Sequence, residues 1–229
     1  MLKVWFKDND SEALSLHIND LGRRQRAQEQ INTYQVPYSD YEPTEHTGKY
    51  LPYIRPMDFA WKDKTKTSDI YKWLTGYGKL RTSKDSGGYF KAHVISGYEV
   101  DRFSKNYDRM MVQFKINPPF FYLDSGDVPI VMTAPGTINN PGTHTSDPYI
   151  RIIGSGNITV TINGRKMTFT NVETFVDIDT EVLPPIYKNN ENQGHKMVGD
   201  LPYFDVGANA ITWTGEVTEL NILPRWREL

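Results

Sequence analysis

The residue types that most often catalyse reactions or bind metals are few and widely spaced in this sequence. The chain has no cysteine, which excludes a disulfide framework, a thiolate metal site and a Cys nucleophile. Zinc ligands commonly lie a few residues apart on one element, but the five histidines show no such spacing: His17, His46, His93, His144 and His195. We therefore predict no metal site, and the missing cysteines favour a reducing compartment.

Catalysis by other side chains is also not indicated. The sequence has no Gly-x-Ser-x-Gly motif that would hold a serine nucleophile at a strained turn. Asp177, Asp179 and Glu181 offer carboxylates for glycoside cleavage, but alternating acids along a strand are more typical of a solvated face. We predict that the chain is not an enzyme and that it has no catalytic, metal-binding or cofactor-binding residue.

Two short segments resemble ligand-binding motifs. Gly154-Ser155-Gly156 follows an apolar run as a dinucleotide loop would, but Thr159 takes the place of the third glycine and a strand follows instead of a helix. Without a helix N-terminus there is nothing to bind phosphates, so a tight turn is predicted. The run from Gly22 to Arg26 has three arginines and could contact a phosphate, although a basic loop or a partner surface is favoured.

The composition points to protein surfaces or carbohydrate rather than nucleic acid. The chain contains 14 Tyr and 5 Trp, residue types that suit interfaces and sugar-binding surfaces alike. Residues 1–120 hold 19 Lys and Arg against 15 Asp and Glu, whereas residues 121–229 hold 7 against 13. This split supports two domains with different surfaces, and it is too small to indicate nucleic-acid binding.

The chain lacks an early apolar segment of the kind found in signal peptides, since charge appears within the first residues. No apolar run reaches the roughly 20 residues that span a bilayer. We expect a protein that is made and kept inside a cell, or released by lysis, with no membrane partner.

The second half of the sequence predicts a β-sandwich. Alternation from Ile158 to Ile162 runs into Asn163-Gly164 and out again to Phe169, which specifies a hairpin with a type I′ turn. Its register pairs Val160 with Met167. Further short strands are predicted at Thr174–Ile178, Ala210–Thr214 and Val217–Ile222, with turns at Pro184-Pro185, Asn189-Asn190 and Gly207.

The first half is predicted to be mostly extended, with one helix. Extended segments are expected at Leu2–Phe6, Tyr50–Trp61, Gly88–Arg102 and Arg109–Phe120. The helix is capped by Thr67 or Ser68, carries an apolar stripe at Ile70, Trp73 and Leu74, and ends at Gly76. Val36–Gly48 reads as a long polar contact loop. Asn117–Phe120 ends a strand and sets the domain boundary.

The C-terminal segment is unusual because termini are ordinarily small and polar. A strand with Leu220 and Ile222 leads to Pro224-Arg225-Trp226-Arg227. Trp and Arg often dominate assembly surfaces, so the segment is predicted to be docked. The same residues also fit a terminal strand that closes its own sheet.

Several segments together resemble the distal tail proteins, or Dit proteins, of long-tailed non-contractile bacteriophages. The most specific are Asn140-Pro141-Gly142-Thr143 and the final Pro224-Arg225-Trp226-Arg227. Between them lie Tyr149–Gly156, the Asn163-Gly164 hairpin, Val176–Asp179 and Gly207–Trp213. The resemblance covers the chain from end to end, although the first half matches more by organisation than by motif.

The resemblance implies a mainly β protein with two domains. Residues 1–120 would form an N-terminal β-rich domain with one short α-helix, and residues 121–218 a galectin-like β-sandwich. Residues 219–229 would return to the N-terminal domain as its terminal strand, so truncation after Leu223 would destabilise that domain more than the sandwich.

The resemblance also implies a structural role in the virion. Six N-terminal domains would close into a homo-hexameric ring, a baseplate hub at the distal end of the tail, assembled in the host cytoplasm. The ring would join the phage tail tube protein to the tail-associated tip protein, and DNA would pass through its channel without specific binding. The sandwich has no room for an inserted arm, so direct capture of receptor-binding proteins is not expected.

An alternative to the structural role is a binding function, in which the chain is a carbohydrate-binding module that helps to recognise the host surface. Trp213 could stack on a sugar, and Asn189, Asn190 and Asn192 could bond its hydroxyls. Ile211 shares a strand face with Trp213, which favours burial of this Trp in the core. A tail-tip hydrolase is a third reading that no group of residues supports.

Overall fold

The computed structural model describes residues 2–7, 9–95, 100–101 and 106–229. The protein is mostly β-strand with one short α-helix, as predicted. The chain divides into two compact units, of which the first runs to Phe121 and includes Leu229, and the second spans Tyr122–Glu228. Positions 96–99 and 102 of the predicted extended segment Gly88–Arg102 lie outside the described residues.

The first unit contains one large sheet and a separate hairpin. Its strands are β1 (Val4–Phe6), β2 (Asn9–Asp10), β3 (His17–Asp20), β4 (Gln28–Thr33), β5 (Thr44–Leu51), β6 (Tyr53–Trp61), β7 (Tyr77–Thr82), β8 (Asp85–Val94), β9 (Val100–Asp101) and β10 (Asp108–Leu123), whose last two residues belong to the second unit. The sheet order is β2-β1-β7-β8-β10-β6-β3, with β9 beside β10. Strands β4 and β5 pair with each other as a two-stranded sheet.

The helix α1 (Thr67–Trp73) packs its apolar stripe into the core of the first unit. Ile70, Trp73 and Leu74 are buried as predicted, and the Trp73 indole N–H donates to a backbone carbonyl of β1 at 2.8 Å. The predicted cap at Thr67 or Ser68 is wrong, because the N-cap of α1 is Lys66 and no side chain caps the helix there. The Thr67 hydroxyl instead accepts a hydrogen bond from the indole of Trp61. A 3₁₀ turn precedes the helix and is capped by another side chain, since the Asp63 carboxylate accepts from the N–H of Thr65.

The strand β10 does not end at Asn117–Phe120, which contradicts the prediction. It continues through Pro118 and Pro119 to Leu123. The ladder between β10 and β6 ends at Ile116, so the prolines follow the last position that pairs with β6. Proline tolerates extended backbone where no ladder donor is required.

The second unit contains one curled sheet. Its strands are β11 (Ile130–Met132), β12 (Gly136–Asn140), β13 (Tyr149–Ile162), β14 (Arg165–Val172), β15 (Phe175–Asp179), β16 (Ile186–Lys188), β17 (Glu191–Asn192), β18 (Met197–Gly199) and β19 (Gly207–Leu223). The last strand, β20 (Arg227–Glu228), is not part of this sheet and pairs with β10. Single 3₁₀ turns occur at Lys64–Lys66, Asp124–Asp127 and Gly194–Lys196.

Two long strands, β13 and β19, take part in both layers of a β-sandwich. The first half of β13 pairs with β15 and the last part of β19, whereas its second half pairs with β14 and the first part of β19. Register shifts between these halves mark β-bulges, which bend a strand. Apolar side chains from both halves share one core: Ile150, Ile152, Ile158, Val160, Ile162, Ile178, Ile211, Leu220 and Ile222 among them.

This continuity corrects two predictions. The sequence predicts separate strands at Ala210–Thr214 and Val217–Ile222 and a tight turn at Gly154–Gly156, but β19 and β13 continue through these positions. Gly215 has a φ of 98°, and a Cβ on Gly154 would lie 2.2 Å from a carbonyl oxygen of β19. These glycines therefore allow bulges and close strand approach rather than chain reversal.

The predicted hairpin between β13 and β14 is confirmed. Asn163 and Gly164 have φ values of 47° and 82°, and a type I′ turn requires positive φ at both positions. The paired side chains lie on the buried face: Val160 with Met167 and Ile158 with Phe169.

Candidate functional site

The structure keeps the histidines apart. His17, His93 and His195 are exposed, and His46 lies on β5, where its ring contacts the Glu29 carboxylate at 3.1 Å. Among the described residues, no three His, Cys, Asp or Glu side chains come together as metal ligands would. The basic run Gly22–Arg26 is an exposed loop, and its Arg24 guanidinium lies 4.4 Å from a ring centroid.

The alternating acids of β15 are not a solvated face, which overturns the prediction. Asp177 and Asp179 are buried on the outer side of the sheet, each beneath an arginine. Arg151 contacts Asp177 at 2.7 Å, and Arg225 contacts Asp179 at 2.7 Å. Single-sequence periodicity misses this pairing, because the arginines come from distant positions in the chain.

The candidate sugar-binding residues have structural roles. Trp213 packs against the core of the sandwich and is partly buried. Asn189 and Asn190 have φ values of 49° and 66° and form the turn between β16 and β17, as the sequence predicts. The Asn192 side chain accepts a hydrogen bond from the N–H of Gly194.

The C-terminal segment is docked, as predicted, and its tryptophan lies in the core of the second unit. Trp226 is 3 % exposed and its ring centroid lies 5.5 Å from that of Phe204. The Trp226 carbonyl accepts a hydrogen bond from the N–H of Leu123 at 2.9 Å. The two compact units place residues 219–228 in the second and Leu229 in the first, and the last strand, β20, pairs with β10. The return of residues 219–229 to the N-terminal domain stays a prediction.

Two arginines flank this tryptophan and form ion pairs. The Arg225 guanidinium donates to both carboxylate oxygens of Asp179, at 2.7 and 2.8 Å. Arg227 contacts the Asp147 carboxylate at 2.7 Å. Paired guanidinium and carboxylate groups fix geometry well, so the segment is held by three successive side chains.

The two most specific motifs of the sequence meet in the second unit. The Asn140 side chain accepts a hydrogen bond from the N–H of Gly142 at 2.9 Å, which shapes the turn between them. A Cβ on Gly142 would lie 2.3 Å from the carbonyl oxygen of Arg227, and the N–H of His144 donates to that same oxygen. The glycine is thus required for the C-terminal segment to approach the Asn-Pro-Gly-Thr turn.

The hairpin β4–β5 is exposed over most of its length. Tyr38 and Tyr41 at its tip are 109 % and 71 % exposed. The hairpin has its own polar contacts, such as the Tyr34 hydroxyl donating to Glu45 at 2.8 Å. At its base, the ring of Tyr50 packs edge-on against another aromatic ring of the unit.

The sequence predicts a loop over Val36–Gly48, which is only partly correct, because Thr44–Gly48 lies within β5. Strand β5 is polar on both faces, so it lacks the alternation that signals a strand. The sequence feature that points to this hairpin as a contact element is the pair of tyrosines in the preceding loop, Tyr38 and Tyr41, which lie close to prolines.

Burial and hydrogen bonding change several pKa values in these regions. Burial raises the pKa of the Tyr122 hydroxyl well above its usual range, and the nearby Glu181 carboxylate adds to the effect. Burial lowers the pKa of His144 below 6.5. Hydrogen bonds from Tyr34 and Asn32 lower the pKa of Glu45. These shifts follow from structural contacts in the two units.

Comparison with known proteins gives a match at the level of the fold. The sequence matches no protein-family model and no curated protein. The structure is similar to the crystal structure of the Dit protein (gp 19.1) of phage SPP1, with a TM-score of 0.66, 9 % sequence identity, and coverage of 97 % of this chain and 98 % of that one. A chain of the phage P2 baseplate in its activated conformation has a TM-score of 0.48 at 8 % identity, over 96 % of each chain. Within the described part of the chain, no helix has the length and apolar character to cross a membrane.

Proposed function

We propose that this chain is a distal tail protein of a siphophage, a structural protein of the virion without catalytic activity or cofactor. It would form a homo-hexameric ring at the distal end of the tail, joining the tail tube protein to the tail-associated tip protein. DNA would pass through the central channel without specific binding, and assembly would take place in the host cytoplasm.

The observation that carries the proposal is the similarity to SPP1 Dit over nearly the full length of both chains. It extends over both units rather than over one common β-sandwich. The protein from SPP1 is described as a paradigm of the hub adsorption apparatus in phages that infect Gram-positive bacteria. The contact of Gly142 with Arg227 adds support, because it joins the two motifs that the sequence shares most specifically with distal tail proteins.

The exposed hairpin β4–β5 is a candidate for contacts between ring subunits. A two-stranded hairpin without a covering layer is marginally stable in water, and Tyr38 and Tyr41 present large aromatic surfaces at its tip. Tyrosine is enriched at protein interfaces. Head-to-tail contacts of this kind close into rings when the rotation between subunits allows it.

The proposal is tested by the native mass of the purified full-length chain and by negative-stain images of the same sample. We expect a hexamer mass and six-fold rings with a central hole. A monomer at the highest soluble concentration, alone and with the tail tube protein, would contradict the ring.

A double substitution, Tyr38→Ala with Tyr41→Ala, tests the hairpin separately. We expect it to shift the hexamer towards monomer without loss of folded signal, since neither ring is buried. Tyr203→Ala is the matched control, because it removes a partly exposed tyrosine from the second unit. Equal dissociation of both variants would remove the assigned role of the hairpin.

A further inference from the structure

One outer face of the sandwich carries a row of side chains across five neighbouring strands, and four of the five are polar. The strand register places these residues side by side: Val131, Asn221, Arg151, Asp177 and Tyr187. Their sequence neighbours Ile150, Ile178 and Ile222 point into the core. The row therefore lies on the outer side of the sheet.

The arginine of this row is held in a fixed orientation. Arg151 donates to both carboxylate oxygens of Asp177, at 2.7 and 3.0 Å, and its guanidinium lies 4.7 Å from the ring centroid of Phe175. The Tyr149 hydroxyl donates to the same carboxylate at 2.8 Å. Asp177 is 2 % exposed, so the negative charge lies beneath the positive one.

A shallow groove runs beside this arginine. Its lining combines polar and apolar side chains: Pro129, Tyr149, Arg151, Asn221, Ile222 and Leu223. Tyr149, Arg151 and Asn221 are partly exposed. Among the described residues, the Asn221 side chain has no hydrogen-bond partner in the protein, which leaves an amide donor and acceptor for a ligand.

We propose that this groove binds an uncharged oligosaccharide. The Tyr149 ring and the apolar lining would contact the C–H face of a sugar, while Arg151 and Asn221 would bond its hydroxyls. Small-ligand sites typically combine an apolar lining with a few fixed polar groups in this way. The buried Asp177 balances the arginine, so a neutral ligand fits better than an anion, which would meet the carboxylate behind it.

This site is distinct from the hub role and does not depend on it. The hub proposal concerns self-assembly, which native mass reports. The groove lies on the second unit, and the sugar-binding proposal is tested by measuring ligand binding. Either proposal can therefore fail without the other.

The test is saturation-transfer difference NMR on the full-length protein with a panel of uncharged hexasaccharides of glucose, galactose and N-acetylglucosamine. A glycerol-phosphate hexamer serves as the anionic comparison. We expect at least one uncharged sugar to receive saturation. Asn221→Ala should weaken the affinity for that sugar about threefold to tenfold, because the substitution removes one or two hydrogen bonds to it.

Two further variants make the result specific to the groove. Val131→Lys places a long charged side chain beside Asn221 without removing a buried contact, since Val131 is exposed, and should also weaken binding. Thr212→Ala, an exposed change elsewhere on β19, should leave it unchanged. The proposal is overturned if no uncharged sugar binds, if only the glycerol-phosphate binds, or if the Asn221 and Val131 variants bind as well as the control.

Discussion

Replacing Trp226 by alanine should destabilise the second unit far more than the first. Trp226 is 3 % exposed and packs against Phe204 in the core of the second unit. Removing a buried tryptophan side chain typically costs about 3–5 kcal/mol, which is a large part of the about 5–15 kcal/mol that stabilises a domain. Since every 1.4 kcal/mol is tenfold, the slowest amides of the second unit should exchange roughly two to four orders of magnitude faster.

Hydrogen exchange with mass spectrometry resolves the two units in one sample. Peptides from β13 report the second unit, and peptides from β6 report the first. Trp213→Ala is the matched control, because Trp213 is only partly buried on the same sandwich and should cost less. The reasoning is refuted if β13 keeps its protection, or if β6 loses as much protection as β13.

Three further predictions concern single residues of the second unit. Gly164→Ala should cost about 1–2 kcal/mol of unfolding free energy, because φ is positive there although the space is open; in urea denaturation Gly154→Ala should lose more, since its Cβ would clash with backbone. Asp179→Asn should cost about 1.5–3 kcal/mol, because it weakens the two short charged hydrogen bonds of Arg225 and leaves this arginine only the longer ion pair with Glu181 at 3.5 Å. An unchanged urea midpoint would contradict this expectation. Burial lowers the pKa of His144, so the unfolded chain binds a proton at higher pH than the folded chain, and stability should fall as pH drops below about 6.5. His144→Gln should flatten that dependence in thermal melts at pH 5 and 7.

The sequence predicts elements well where one local rule decides the structure. The Asn163-Gly164 turn needs positive φ at two adjacent residues, and its flanking alternation sets the register, so the hairpin and its paired side chains follow directly. The stripe of helix α1 is likewise a local pattern that burial confirms at Ile70 and Trp73.

Prediction fails where distant residues decide. A glycine in a strand pattern fits a turn or a bulge, and only the approach of β19 to Gly154 distinguishes them. Asp177 and Asp179 look solvated until the arginines from other strands cover them. The groove beside Arg151 is assembled from strands far apart in the sequence, so no local motif marks it.

The hydrogen bond between Leu123 and Trp226 has a consequence for how such proteins diversify. It brings Leu123, near the start of the second unit, beside Trp226, near its end. Domains with adjacent termini tolerate insertion and exchange well. A recombination event that exchanges the coding segment for residues 122–228 therefore needs to preserve only this short backbone contact.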